Sequence, residues 1–279
     1  MSKLMFLGSG SAFTVGADNF QSNIILISNR GNKLLIDCGS DIRFSLHAAG
    51  FSYLDITDIY ISHLHADHIG GLEYIGFSTK FDPRCSKPRL YLSQELVGDL
   101  WSRSLSGGMR SIEGDIADFD TYFDLCTVPK NSFFEWEEIQ FTLIRTIHVM
   151  NGYFVFPSYA LFFELDGFKI LITTDTKLCM EAFEQYYEEA DIIFQDCETA
   201  KFPSQIHAHY TELLQLPKVI RNKMWLYHYQ PGSLPDARQD GFKGFVKRGQ
   251  IFAPSDFVSL TEIELTHSKV QRMKDKKME

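Results

Sequence analysis

Ser62-His63-Leu64-His65-Ala66-Asp67-His68-Ile69-Gly70-Gly71 is the stretch that decides the fold. Three histidines and an aspartate fall within six residues, directly after the apolar run at 56–61. Imidazole nitrogens and carboxylate oxygens are borderline-to-hard donors that suit Zn²⁺, Mn²⁺ or Fe²⁺. In a loop at a strand end, the offsets His-x-His and Asp-His present two pairs of ligands to two adjacent ions. A merely solvated polar loop has no reason to concentrate imidazoles this way, in a chain with only 9 histidines among 279 residues.

One loop cannot complete two metal sites, so further donors must come from elsewhere. His148 follows the apolar strand 141–146, Asp175 follows 170–174 and His228 follows 224–227. Strands that end on a common sheet edge bring such residues to one rim, where open α/β sheets bind their ligands. Alone, each histidine would read as structural or exposed. Beside the 63–68 cluster, they read as its remaining ligands.

The chain is 44% hydrophobic, enough over 279 residues to bury a sizeable core, and length alone allows one large domain or two small ones. Neither a repeat nor a linker divides it, so one domain over 1–279 is expected. With 27 basic and 36 acidic residues the net charge is −9. That is a poor field for tRNA or duplex nucleic acid, whose phosphates need a basic footprint. A small anionic substrate remains compatible, because bound cations invert the local sign. The 5 cysteines (Cys38, Cys85, Cys126, Cys179, Cys197) form no Cys-x-x-Cys pair. An odd, scattered set points to reduced thiols in a cytoplasm. Neither a signal peptide nor a membrane span is expected, since no run approaches 18 apolar residues.

Short Ile- and Leu-rich runs at 4–7, 24–27, 34–36, 59–61 and 90–92 read as strands, with helices at 41–49, 70–77 and 93–105. Strands at 139–146, 160–165 and 168–173 follow, the last two joined by an Asp166-Gly167 hairpin turn. A helix at 180–189, a strand at 191–195, a helix at 211–220 broken at Pro217 and a strand at 224–227 complete the pattern. In 107–124, Gly107-Gly108 reads as a hinge and 116–123 as a short acidic helix. This insertion serves as a lid or dimer arm, or is plain surface. The charged tail 268–279 reads as a solvated helix or frayed end.

The motif order resembles the metallo-β-lactamase superfamily over nearly the whole chain. Leu35-Ile36-Asp37-Cys38-Gly39 matches its early aspartate motif and 62–71 its central motif. His148, Thr174-Asp175-Thr176 and His228 match its later ligand positions. The resemblance implies an α/β fold, the αββα metallo-β-lactamase sandwich, and a site for two Zn²⁺, with Mn²⁺ or Fe²⁺ as alternatives. One ion takes His63, His65 and His148; the other takes Asp67, His68 and His228; Asp175 bridges them. Two such ions about 3.5–4 Å apart acidify a shared water and bind the developing oxyanion. Asp67 both ligates and orients that water. Asp37 reads as an orienting partner of a ligand histidine, or as a strand-end turn residue.

Finer features resemble the ribonuclease Z-like phosphodiesterase branch, beginning with Leu7-Gly8-Ser9-Gly10-Ser11-Ala12-Phe13. Asp196 stands where that branch has Glu, and Gln195 where it has His. The segment 206–213 resembles the branch's His-Ser-Thr motif, which leaves both His207 and His209 as catalytic candidates. One of them would contact a phosphate oxygen or protonate the leaving alkoxide while Asp196 holds its ring. The long tRNA-gripping arm of ribonuclease Z has no counterpart between His148 and Asp175. The finer likeness is to the anti-Pycsar cyclic-nucleotide phosphodiesterases of phages and bacteria. It implies hydrolysis of 3′,5′-cyclic nucleotides (cyclic CMP and UMP, then cyclic AMP and GMP) to nucleoside monophosphates. It also implies evasion of cyclic-nucleotide antiphage immunity, a homodimer, and the cytoplasm of the cell or infected host. Phe13, Tyr153 or Phe156 would stack on the base. The metal core alone also fits a ribonuclease Z-type RNA 3′-processing endonuclease and a lactonase or thioesterase.

Overall fold

The computed structural model describes residues 1–16, 18–253 and 256, so the tail at 268–279 lies outside the described residues. Strands β1 (Lys3–Phe6), β2 (Ile24–Ile27) and β3 (Lys33–Ile36) form an antiparallel meander. The chain crosses through α1 (Ile42–Ala48) to β4 (Asp58–Ile61), then through α2 (Ala66–Ile69) and α3 (Leu72–Phe81) to β5 (Arg89–Ser93). Both crossovers add parallel strands. Next come α4 (Gln94–Asp99), a π-helical stretch at Leu100–Leu105 and α5 (Ser106–Met109). A short ribbon, β6 (Ser111–Ile112) with β7 (Asp115–Ile116), leads to β8 (Asp124–Val128), which pairs parallel with β5.

The second sheet starts with β9 (Phe133–Trp136) and the long hairpin of β10 (Ile139–Asn151) and β11 (Phe154–Leu165). It continues through β12 (Phe168–Ile172), α6 (Met180–Glu189), β13 (Ile192–Asp196), α7 (Tyr210–Leu213), α8 (Lys218–Arg221), β14 (Met224–Tyr227) and β15 (Gly244–Phe245). β16 (Ile251–Phe252) returns to pair with β1. The two seven-stranded orders are β16-β1-β2-β3-β4-β5-β8 and β15-β14-β13-β12-β11-β10-β9. Each sheet is antiparallel on one side and parallel on the other.

Burial explains the layering. β4 is buried at every position, as a central strand covered on both faces must be. β9 instead alternates, with Phe134 and Trp136 inward and Phe133 and Glu135 outward. Phe6 of the first sheet packs on Phe194 and Tyr227 of the second at 5.0 and 5.4 Å between ring centroids. Each such fully buried aromatic contributes roughly 1.5–3 kcal/mol. Ile42, Leu46, Leu72 and Ile75 cover the first sheet's outer face. Phe183, Tyr187, Leu213 and Ile220 join Leu171, Ile193 and Met224 in a second cluster behind the other sheet. The result is the expected α/β sandwich, helix–sheet–sheet–helix. Among the described residues, no helix is long and apolar enough to cross a membrane.

Several boundaries differ from expectation. The helix after β5 runs on to Met109, so Gly107-Gly108 is its last turn rather than a hinge, and Gly108 lies against the Glu73 carboxylate. Residues 116–123 form no acidic helix: they contain the end of β7 and one 3₁₀ turn at Phe119–Thr121. The apolar residues Phe119, Tyr122 and Phe123 are buried instead, with Tyr122 edge-on to Phe77 of α3 at 5.4 Å. The segment is thus fastened to the outer helix layer of the first sheet.

Candidate metal centre

The strand ends that carry the site share an uncommon backbone. Asp37 directly follows β3, His228 directly follows β14, and Thr174 precedes Asp175; their φ angles are 62°, 63° and 50°. Non-glycine residues in this left-handed region cost energy and persist only where their surroundings hold them. Here backbone bonds do so: Asp37 N–H donates to the Tyr60 carbonyl at 2.8 Å and His228 N–H to the Ser9 carbonyl at 2.8 Å. The turn aims Asp37 at the 62–68 loop. Its Oδ1 accepts from Ser62 N–H at 2.8 Å, and its Oδ2 from Ser62 Oγ–H at 2.8 Å and His68 Nδ1–H at 2.7 Å.

Two donor sets converge. The ligand atoms of His63, His65, His148 and Asp175 lie within 4.8 Å of one another, as do those of Asp67, His68, Asp175 and His228. In the first set, His65 Nδ1 is 3.1 Å from both His63 Nε2 and His148 Nε2. In the second, His68 Nε2 is 3.2 Å from Asp67 Oδ2. A single atom belongs to both: Asp175 Oδ2 lies 3.8 Å from His63 Nε2 and His148 Nε2, 3.3 Å from His68 Nε2 and 3.2 Å from His228 Nε2. Tetrahedral bonds of about 2.0–2.1 Å to a cation such as Zn²⁺ separate ligand atoms by about 3.3–3.4 Å. The observed separations bracket that value. Asp67 Oδ2, His68 Nε2 and Asp175 Oδ1 are buried and make no hydrogen bond. Buried polar atoms are rarely left so, and a cation held by the second donor set would satisfy Asp67 Oδ2 and His68 Nε2. The donor chemistry and spacing therefore fit two borderline cations.

The ring nitrogens turned away from the cluster are held. His63 Nδ1 meets Ser62 Oγ at 3.0 Å, His148 Nδ1 donates to the Ile206 carbonyl at 2.8 Å, and His228 Nδ1 meets Ser22 Oγ at 3.2 Å. These contacts orient the imidazoles and fix their tautomers. Burial drives His63 well below its ordinary value and His148 and His228 down to about 4, so all three are neutral donors near pH 7. His68 is the opposite case. Burial alone would lower it, but Asp175, Asp67 and Asp37 together raise it well above its ordinary value. Burial would likewise raise Asp67, yet His68 pulls it down to about 2. Three carboxylates around one imidazole make a field that favours added positive charge.

Of the two candidate histidines in 206–213, only His207 joins the cluster. Its Nδ1 donates to Asp196 Oδ2 at 2.8 Å, and its ring stacks on His228 at 5.0 Å. Burial raises Asp196 to about 6; on His207 burial acts downward, but Asp196 overcomes it and lifts the ring to about 9. His209 is a correction to the expectation. It caps α7, its Nδ1 lying 2.8 Å from Thr211 Oγ1 and its Nε2 donating to the Ala200 carbonyl at 2.9 Å. Both its ring nitrogens are engaged away from the metal donors. His148 also differs: it sits inside β10, which runs to Asn151, within the register shift between Ile147 and Met150. Nothing local in the sequence marks Ser22 or the Ile206 carbonyl for these contacts, whereas Ser62 lies within the decisive motif.

The donors open into a cavity of about 300 Å³ lined by Ala12, Phe13 and Ile206 as well as by His65, Asp67 and His207. No residue of 107–124 lines it. Phe156 stacks on His65 at 5.0 Å, and Tyr153 is fully exposed at the β10–β11 turn.

Comparison with known proteins agrees with this geometry. Solved structures of like fold include the metallo-β-lactamase fold protein YhfI from Bacillus subtilis (TM-score 0.69, 18% identity, 90% of this chain and 98% of that one). A diphosphatase of the PhnP family (TM-score 0.67, 18% identity, 90% and 96%) and the short form of human tRNase Z (0.66, 17%, 90% and 98%) are also alike. Curated relatives include anti-Pycsar protein Apyc1 of Paenibacillus harenae, 32% identical over 81% of this chain and 89% of the relative. Another is anti-Pycsar protein Apyc1 of Bacillus phage vB_BveM-Goe7, 34% identical over 81% and 88%. The family model for anti-Pycsar protein Apyc1 matches residues 2–252. The chain has the metallo-β-lactamase fold and belongs to the anti-Pycsar Apyc1 family.

Proposed function

We propose that this chain is a metal-dependent phosphodiesterase that opens 3′,5′-cyclic nucleotides to nucleoside monophosphates and so counters cyclic-nucleotide antiphage signalling. Cyclic CMP and UMP are the first substrates proposed, cyclic AMP and GMP the next. The observation that carries this reading is the single oxygen, Asp175 Oδ2, 3.2–3.8 Å from four histidine Nε2 atoms of two donor sets. Family membership supports a hydrolase acting on that pathway, and the charge of −9 speaks against a large nucleic acid.

His63, His65, His148 and Asp175 would hold one cation, Zn²⁺ in this proposal, and Asp67, His68, His228 and Asp175 the second. Such a pair supplies Lewis acidity to a phosphoryl oxygen and acidifies a water. The protein's own groups do the rest. Asp67, ionised at neutral pH, accepts a hydrogen bond from the attacking water and aligns it. Asp37 fixes the His68 ring through Nδ1. His207, clamped by Asp196 through Nδ1, keeps Nε2–H for a non-bridging phosphate oxygen or for the departing alkoxide. The cavity admits a small ligand, and the shared core of the two sheets supports a single working domain. A homodimer in the cytoplasm completes the proposal.

Purified protein is to be incubated with the four cyclic nucleotides, a precursor tRNA and an acyl-ester panel, each with and without chelator. Chelator-sensitive cyclic-nucleotide turnover is the expected outcome. Cleavage of precursor tRNA or of acyl esters with cyclic nucleotides left intact overturns the reading.

A further inference from the structure

The cavity at the metal donors is two-sided. Its floor is polar, built from Asp67, Asp175, His148 and His207; its mouth is apolar, formed by Ala12, Phe13 and Ile206. Among the lining residues Phe13 is the one phenylalanine, tyrosine or tryptophan, and it is 84% exposed. A single exposed phenylalanine means little by itself, but here the backbone that carries it is tied down. Ser11 N–H donates to the Tyr229 carbonyl at 3.0 Å, Thr14 N–H to the Ser11 carbonyl at 3.0 Å and Gln21 Nε2–H to the Ala12 carbonyl at 3.3 Å. A pinned turn therefore holds a bare ring beside the polar donors of the cavity. The other two candidate aromatics, Tyr153 and Phe156, are placed differently. Phe156 already stacks on His65, with 17° between the ring planes, and Tyr153 does not line the cavity.

Resting on the cyclic-nucleotide reading above, we infer that Phe13 is the platform on which the nucleobase stacks while the phosphodiester sits on the polar floor. Stacking desolvates the exposed ring and the base face together, and it orients the ribose so that the cyclic ester meets His207. Phe13 is a specificity-determining residue: it selects a ligand with one anionic end and one flat aromatic end.

The test compares wild type, Phe13→Ala and Phe13→Tyr by calorimetric titration of the metal-loaded protein with CMP and with ribose 5-phosphate, which lacks a base. Steady-state kinetics on cyclic CMP run alongside. Phe13→Ala is expected to weaken CMP and raise KM for cyclic CMP by roughly 5- to 100-fold. Ribose 5-phosphate affinity should stay unchanged, and Phe13→Tyr should restore CMP binding. Unaltered CMP affinity in Phe13→Ala, or equal weakening of both ligands, overturns this inference alone. A wild-type protein that turns over none of the four cyclic nucleotides overturns the parent reading as well.

Discussion

At the residue scale, Asp37 shows how a side chain outside the donor sets governs them. It accepts three hydrogen bonds, two from Ser62 and one from His68, and adopts a left-handed φ of 62° to do so. Asparagine tolerates that backbone, so Asp37→Asn isolates the chemistry from the conformation. The amide keeps the acceptor for Ser62 N–H but replaces the other with a donor facing both Ser62 Oγ and His68 Nδ1. His68 then loses its anchor, and metal affinity should fall about 10- to 100-fold. Competition with a chromophoric chelator measures it, and excess Zn²⁺ should restore activity. An unchanged affinity would make Asp37 a strand-end turn residue and nothing more. His207 and His209 invite a paired experiment. His207→Ala removes the imidazole that Asp196 holds over the cavity, and kcat should drop by about 10²–10⁴ with the fold intact. His209→Ala should leave kcat nearly unchanged but remove the cap of α7, costing about 1 kcal/mol, or about 2–4 °C in Tm at this size. Equal catalytic losses in both variants would contradict the placement of His209.

At the element scale, legibility followed burial pattern and turn chemistry. Met180–Glu189 and Met224–Tyr227 carry boundaries readable to the residue, because amphipathic spacing or an apolar run stops sharply at each end. Asp166 and Gly167, at φ 50° and 90°, form the turn that their residue types demand. Other features lack such marks. β8 is exposed or half-exposed at four of its five positions and reads Asp-Leu-Cys-Thr-Val, so neither a strict alternation nor a continuous apolar run announces it. The π-helical stretch at Leu100–Leu105 depends on tertiary packing of Leu100 and Leu105, which propensity does not encode. β10 passes His148 because its partner β11 begins at Phe154 and the pairing continues through the register shift. The donor residues were legible because each lies where an apolar run meets a polar side chain. Their supporting contacts were not, since Ser22 meets His228 across 206 positions of chain.

At the scale of the whole molecule, the two donor sets join the two sheets. His63, His65, Asp67 and His68 follow β4 of the first sheet, whereas His148 lies in β10 and Asp175 and His228 follow β12 and β14 of the second. Each set of four takes two residues from either sheet. Cations bound there act as cross-links that the unfolded chain cannot form, since it does not bring these donors together. Binding only to the folded state adds RT ln(1 + [L]/Kd), about 2.7 kcal/mol per site when free metal stands at 100 times Kd. For a chain of this size that corresponds to roughly 5–11 °C in Tm per site. Thermal melting of the metal-loaded wild type should therefore fall by about that amount or more when chelator is added, and recover on metal return. Asp175→Ala, which removes the oxygen common to both sets, should abolish nearly the whole metal-dependent shift. His65→Ala, confined to one set, should abolish only part of it. A wild-type Tm indifferent to chelator would mean that the seven side chains converge without fastening the sheets, and the proposed two-cation site would fall with it.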